Sequence, residues 1–204
     1  MPDPTRREIE FYFDCSSPYS FIASEWIAAL AARHGRTVDW RAILLGATFQ
    51  AAELKSPVSH PIKREYSLRD FERSARFAGV PLSIPAKFPI PTQNAARIFW
   101  WLKAQDTERA SQWAHLCLRA YFVRGVDLSD VAALKGLAVE FGVEAVEAER
   151  VWNDPTWKLA LKGANEAAIA AGVFGAPFFV VDGEPFWGND RRVQIERWLE
   201  SGPF

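Results

Sequence analysis

The tetrapeptide Ser17-Pro18-Tyr19-Ser20 closes the stretch FYFDCSSPYSF and puts two hydroxyls where a strand-like run gives way to a helix. With serine at both ends there is no thiolate, so the protein cannot itself form a mixed disulfide at this junction. A serine hydroxyl is a weak nucleophile without a base, and no histidine stands in or beside the motif. Ser17 is therefore better suited to donating a hydrogen bond than to attacking. Cys15 lies just before the helix start without a Cys-X-X-Cys partner and reads as an inert, small apolar residue.

The elements that position this motif follow from pattern. Ile9 to Phe13 is short, aromatic and apolar, a buried strand. Ser17 is a preferred N-cap and Pro18 suits the first helical position. From Tyr19 the apolar positions 19, 22, 23, 26, 27 and 30 keep a helical rhythm until Gly35. Thr37 to Leu45 reads as a second buried strand.

From Gly46 to about Gly172 the pattern is mostly helical, five or six helices broken by a loop with Pro81, Pro85, Pro89 and Pro91. Asn94–Lys103 and Thr107–Arg124 are the most regular of them. Strands return in PFFVV and EPFWG, which flank Asp182-Gly183, a dipeptide suited to the positive φ angles of a tight hairpin. A last helix, Asp190 to about Ser201, is expected to dock Val193, Trp198 and Leu199 on the sheet.

Composition narrows the function. A chain of 204 residues that is 49% apolar buries an ordinary core as one domain, or one domain with a large insertion. The net charge of -1, with basic residues spread along the chain, argues against nucleic acid and anionic membranes as partners. The longest uncharged run, Ala167 to Val181, spans 15 residues and contains Gly172, Gly175 and Pro177, too short and broken to cross a bilayer. The start, MPDPTRREIE, lacks the apolar core of a secretory signal, which points to the cytoplasm. Cys15 and Cys117 give no disulfide framework, and His34, His60 and His115 show no zinc-like spacing, so no metal is expected. The nine tryptophans and fifteen phenylalanines mostly fill the core; of the adjacent Trp100 and Trp101, at most one faces any cleft.

The order β-α-β, helical insertion, α-β-β-α resembles an α/β thioredoxin-like fold with a large all-helical insertion, residues 8–46 plus 158–204 forming the thioredoxin-like part and 47–157 the insertion. FYFDCSSPYSF resembles the first strand and active-site turn of DsbA-type oxidoreductases, of kappa-class glutathione transferases and, most closely, of 2-hydroxychromene-2-carboxylate isomerases. GVFGAPFFVVDGEPFWGNDR, residues 172–191, is similar to the second signature of the same families.

The resemblance implies a role for each matching residue. Ser17 and Ser20 stand where the oxidoreductases carry their two cysteines, so glutathione would bring the missing sulfur, held by Ser17 and the helix N-terminus. Lowering a thiol pKa by two units takes about 2.7 kcal/mol. Helix termini offer ~0.3–2 kcal/mol and hydrogen bonds to charged groups ~1.5–3 kcal/mol. On the tetrapeptide alone Ser17 reads as a cap; the second signature turns it into a catalytic donor.

Ala176-Pro177 matches the family cis proline, whose exposed backbone would pair with glutathione as an added strand. Asn189 and Asp190 match the corner that meets the γ-glutamyl end, with Asp190 facing its ammonium. Lys63, which alone reads as a solvated charge, takes the place of a lysine that approaches a glutathione carboxylate. The families often carry Gly-Asn-X-Pro upstream of that lysine, whereas AAELKSPVSHPIK has Leu54 near the asparagine position. The implied activity is a glutathione-dependent isomerase acting on a small aromatic or unsaturated substrate, in a cytoplasmic homodimer. The alternatives are a kappa-like transferase or peroxidase, and a thiol- or peptide-binding module without chemistry.

Overall fold

In the computed structural model, which describes residues 8–204, a four-stranded sheet carries the motif. Residues 1–7, which hold most of the amino-terminal stretch read for a signal, lie outside the described residues. The strands are β1 (Glu8–Phe13), β2 (Thr37–Ala42), β3 (Phe178–Val181) and β4 (Glu184–Trp187), in the order β2-β1-β3-β4. β1 runs parallel to β2, with Phe11 opposite Trp40, and antiparallel to β3, with Phe11 opposite Phe179. Asp182 and Gly183, at φ 54° and 88°, make the tight turn to β4. Alternation along β1 separates two faces: Ile9, Phe11 and Phe13 enter the main core, while Tyr12 packs with Phe178 and Ala168 on the other side. This is the DsbA-like thioredoxin fold, with helices covering a mixed sheet.

Ten helices complete the described chain: α1 (Pro18–Ser24), α2 (Ile27–Arg33), α3 (Leu45–Ala51), α4 (Lys63–Ala78), α5 (Gln93–Lys103), α6 (Thr107–Phe122), α7 (Val131–Glu140), α8 (Ala145–Asn153), α9 (Pro155–Ala170) and α10 (Arg192–Ser201). Short 3-10 turns at Pro57–Ser59 and Asn189–Arg191 precede α4 and α10. Among the described residues no helix is long and apolar enough to cross a membrane.

Four expectations need correction. The single helix expected after Ser17 is two, because Glu25 and Trp26 donate back three residues to Ile22 and Ala23 and end the α-ladder, and α2 restarts with Leu30 donating to Trp26. Both pieces keep their apolar face buried, so the periodicity runs through the break unmarked. The second strand stops at Ala42 because the next donors leave the ladder: Leu44 N–H goes to Asn165 Oδ1 and Leu45 N–H to Asp14 Oδ2, which starts α3.

The helical stretch holds seven helices, α3 to α9; α3 begins at Leu45, the residue that ended the apparent strand, and only Asp154 separates α8 from α9. Asp154 ends α8 and caps α9 through Thr156 N–H. Finally, Val193 is 75% exposed and Ile195 is the buried anchor of α10, because the 3-10 turn at Asn189–Arg191 shifts the phase of that helix. Trp198 and Leu199 do pack on the core. Helix α9 runs through residues 157 and 158 without interruption and packs on both α5 and β2.

Candidate active site

Ser17 caps α1 with its side chain accepting from Ser20 N–H at 3.1 Å, and Pro18 occupies the first helical position. The same hydroxyl donates to the carbonyl of Ala176 at 3.0 Å. Ser17 is only 3% exposed yet lines a cavity of about 910 Å³. The peptide bond Ala176-Pro177 is cis, and Gly188 N–H donates to Pro177 at 3.0 Å, fastening the end of β4 beside it. Among the described residues, neither Ala176 N–H nor Tyr19 N–H finds a backbone acceptor. Because α1 has only seven residues, its contribution to an anion lies in such first-turn N–H groups more than in an extended dipole.

The cavity brings together Ser17, Ala176, Pro177, Asn189 and Asp190 from the two ends of the chain. Asn189 is oriented from behind: its Oδ1 accepts from Trp26 Nε1 at 2.8 Å, leaving the amide NH₂ for a ligand. Asp190 is exposed and pairs with Arg191 at 2.9 Å. Lys63 is not in the wall; it is exposed at the start of α4. Leu54 is also outside the wall, 44% exposed, while Ser56, Pro57 and Val58 from the same departing stretch do line it. Ser20 lies beneath the surface, fully buried, with a hydroxyl that finds no partner.

This geometry joins the two sequence signatures in one site. The DSBA-like thioredoxin domain family matches residues 8–200. A 2-hydroxychromene-2-carboxylate isomerase of Sphingobium xenophagum is 31% identical over 195 residues, covering 95% of this chain and 98% of the relative. The chain belongs to the DSBA-like thioredoxin family, in its 2-hydroxychromene-2-carboxylate isomerase group. Glutathione S-transferase kappa 1 of Caenorhabditis elegans is 28% identical over 214 residues, covering 97% of this chain and 93% of the relative. A solved structure of 2-hydroxychromene-2-carboxylate isomerase superimposes with a TM-score of 0.85 at 24% identity, over 95% and 94% of the two chains, which speaks for the fold.

Several wall residues of this DSBA-like site escaped the sequence reading. Asp14 is buried, and burial pushes its carboxyl above the usual range against four donors that hold it down. Its Oδ1 accepts from Ser16 N–H at 2.7 Å, Ser16 Oγ at 2.9 Å and Thr92 Oγ1 at 2.9 Å; its Oδ2 accepts from Leu45 N–H at 2.7 Å. The carboxylate thus ties the end of β1 to the starts of α3 and α5. An Asp-X-Ser pattern after an apolar strand was the available signal, as for any side chain that closes a turn. Also in the wall, Tyr19 donates to Asp70 of α4, which also pairs with Arg73. Burial, with the Asp70 hydrogen bond second, raises the Tyr19 phenol far above its ordinary value. These two residues are 51 positions apart, and nothing local in the sequence announces the pair.

The cysteines and one histidine also sit differently from the linear pattern. Cys15 and Cys117 are both buried, and the Cys117 thiol is raised well above its usual value by burial and by a hydrogen bond with Cys15. Away from the cavity, His34, Glu196 and Glu200 bring one ligand atom each within 4.8 Å, and Arg33 already pairs with Glu196 at 2.7 Å.

Proposed function

We propose that the protein is a glutathione-dependent isomerase resembling 2-hydroxychromene-2-carboxylate isomerase, acting on a small unsaturated substrate of aromatic-compound breakdown. The supporting observation is the placement of Ser17 Oγ, beside Ala176 and unpaired N–H groups, in the wall of a cavity large enough for two ligands. The residues present fit glutathione: Ala176 offers an edge for an extended peptide, and Asp190 offers a carboxylate for an ammonium. Bound there, glutathione would supply a sulfur that adds to the substrate and leaves again, so that one difficult step becomes two easier ones.

The chain's own residues supply position and polarity. Turning the Ser17 hydroxyl from Ala176 O toward the sulfur frees that carbonyl for a ligand N–H, so binding and thiolate stabilisation exchange one hydrogen bond for two. Asn189, held by Trp26, presents its amide to the γ-glutamyl end beside Asp190. Lys63 would meet a glutathione carboxylate from the exposed start of α4. The reading makes the protein a cytoplasmic homodimer, checked by sedimentation and fractionation.

The kappa-class relative supports a second reading, a transferase in which the sulfur leaves with the product. Assays of isomerisation and of conjugation with glutathione varied separate the two. Isomerisation requires glutathione without consuming it; formation of stable conjugates alone overturns the isomerase. A protein that takes up glutathione but shows no turnover, with Ser17→Ala binding as well as wild type, is a binding module instead.

A further inference from the structure

The proline loop between α4 and α5 supplies Phe88, Pro89, Ile90 and Pro91 to the cavity wall, and its backbone is tied down at few points. At one end Ser83 N–H donates to Phe122 O at 2.8 Å; at the other Thr92 Oγ1 donates to Asp14 at 2.9 Å. Among the described residues, no backbone–backbone hydrogen bond involves residues 84–91. A segment without a ladder keeps one shape only where packing or side chains hold it.

Lys87 is the point at which side chains hold this one. Its carbonyl accepts from Tyr121 Oη at 2.7 Å, and its Nζ donates to Asp127 Oδ2 at 2.8 Å and to Ser129 Oγ at 2.7 Å. The anchors are themselves fixed: Tyr121 is fully buried in α6, and in the loop after α6 Ser129 N–H donates to Asp127 Oδ1 at 2.8 Å. Phe88, the next residue, lies edge-on to Phe71 of α4 and to Phe122 of α6, with centroids at 6.0 and 6.3 Å. Tyr121, Lys87, Asp127 and Ser129 are all outside the cavity wall.

We infer that Tyr121 and Lys87 are positioning residues for the site, which from outside the cavity hold the Phe88–Pro91 wall in the shape that receives the unsaturated substrate. The part of this that concerns a substrate rests on the isomerase reading above; the fastening of the wall does not. The two fastenings differ in kind. Tyr121 makes a neutral bond from a buried ring, whereas Lys87 and Asp127 form an ion pair with 64% and 30% of their side chains exposed, which salt screens.

Backbone NMR relaxation on the ligand-free protein reads the fastening directly. The amides of Phe88 and Ile90 are expected to have order parameters of roughly 0.85 in wild type and below about 0.6 in Tyr121→Phe, with those of α5 and α6 unchanged. In turnover assays Tyr121→Phe should raise KM for the unsaturated substrate by about three- to tenfold, with kcat, glutathione affinity and the thiolate titration unaltered. Salt at about 0.5 M should raise KM of wild type toward that of Lys87→Ala and leave Lys87→Ala itself unmoved, while Lys87→Arg, which keeps the charge, restores the wild-type value. Should Tyr121→Phe fail to fold, Lys87→Ala decides alone. Order parameters unchanged in both variants overturn the inference, as does a KM that neither variant moves. Loosened amides in a protein that shows no isomerisation even as wild type would remove the isomerase reading and leave the fastening, whereas normal wild-type turnover with an unmoved KM would remove this inference alone.

Discussion

The hydroxyl of Ser17 donates to the carbonyl of Ala176 across 159 positions of sequence, so the first turn of the chain and the last loop before β3 share one hydrogen bond. That bond lies in the cavity wall, and Ser17 also caps α1. Ser17→Ala therefore removes a cap and a tertiary bond together, a stability cost of about 1–3 kcal/mol in chemical denaturation. Under the proposed reading it also removes a charge-assisted donor, lowering turnover by about 10–100-fold and raising the pKa of bound glutathione. The ultraviolet absorption of the thiolate, followed against pH, checks the second effect. An unshifted titration would mean that Ser17 only holds the fold.

The Trp26 indole N–H fixes Asn189 from the core side. Trp26→Phe keeps most of the aromatic packing against Phe179 but leaves Asn189 Oδ1 without its donor. The expected outcome is a loss of about 1 kcal/mol in stability, together with weaker glutathione binding and little change in kcat. Calorimetry that finds affinity unchanged would show that Asn189 needs no orientation to serve its ligand.

Gly175 is required by its neighbour. A Cβ built there would stand 2.5 Å from Trp187 Nε1, and Trp187 is a half-exposed wall residue of the cavity. Gly175→Ala must push the indole off the Gly175-Ala176 segment, costing about 1–3 kcal/mol as overpacking does. Because the displaced ring lines the site, KM for both substrates should rise while the thiolate titration stays in place. A variant with wild-type stability and KM would show that the ring is free to swing.

Two buried or paired carboxyls should act on stability in opposite directions with pH. Asp127 is held down to about 2, first by its hydrogen bond from Lys87 and then by Ser129. Its contribution is present above the ordinary value of 3.8 and is lost as pH falls toward about 2, so Lys87→Ala should flatten that acid loss. Asp14 is raised by burial, so the folded state binds its proton more tightly than the unfolded chain does. Its contribution is present below 3.8 and is lost as pH rises through the raised value. The stability of wild type relative to Asp14→Asn should therefore decline with rising pH over that window. A difference that grows with pH would show that the four donors outweigh burial.

Much of this fold is written locally. The cap at Ser17, the hairpin at Asp182-Gly183 and the alternation of β1 are short-range patterns, and each is realised in the structure. The misjudged elements were decided by distant groups. β2 ends where Asn165 and Asp14 capture the backbone donors of Leu44 and Leu45, which an apolar run cannot reveal. The site divides in the same way. Ser17, Ala176, Pro177, Asn189 and Asp190 belong to two contiguous motifs and meet in one cavity, whereas the Tyr19–Asp70 pair and the apolar wall depend on how the insertion packs.

Ser17 and Ser20 close the two ends of one tetrapeptide, and the structure makes them opposites. Ser20 is fully buried with its hydroxyl unpartnered, three residues after a serine whose hydroxyl is used twice. A buried hydroxyl without a partner costs about 1–3 kcal/mol in desolvation, and removing one oxygen leaves only a small void. Ser20→Ala is therefore expected to be neutral or to raise stability by up to about 1 kcal/mol, since its backbone N–H still reaches Ser17 Oγ. Turnover should be unchanged, because the hydroxyl lies outside the cavity wall. Thermal denaturation of the two alanine variants side by side decides the point. A loss at Ser20 comparable to that at Ser17 would mean that its hydroxyl finds a partner in solution.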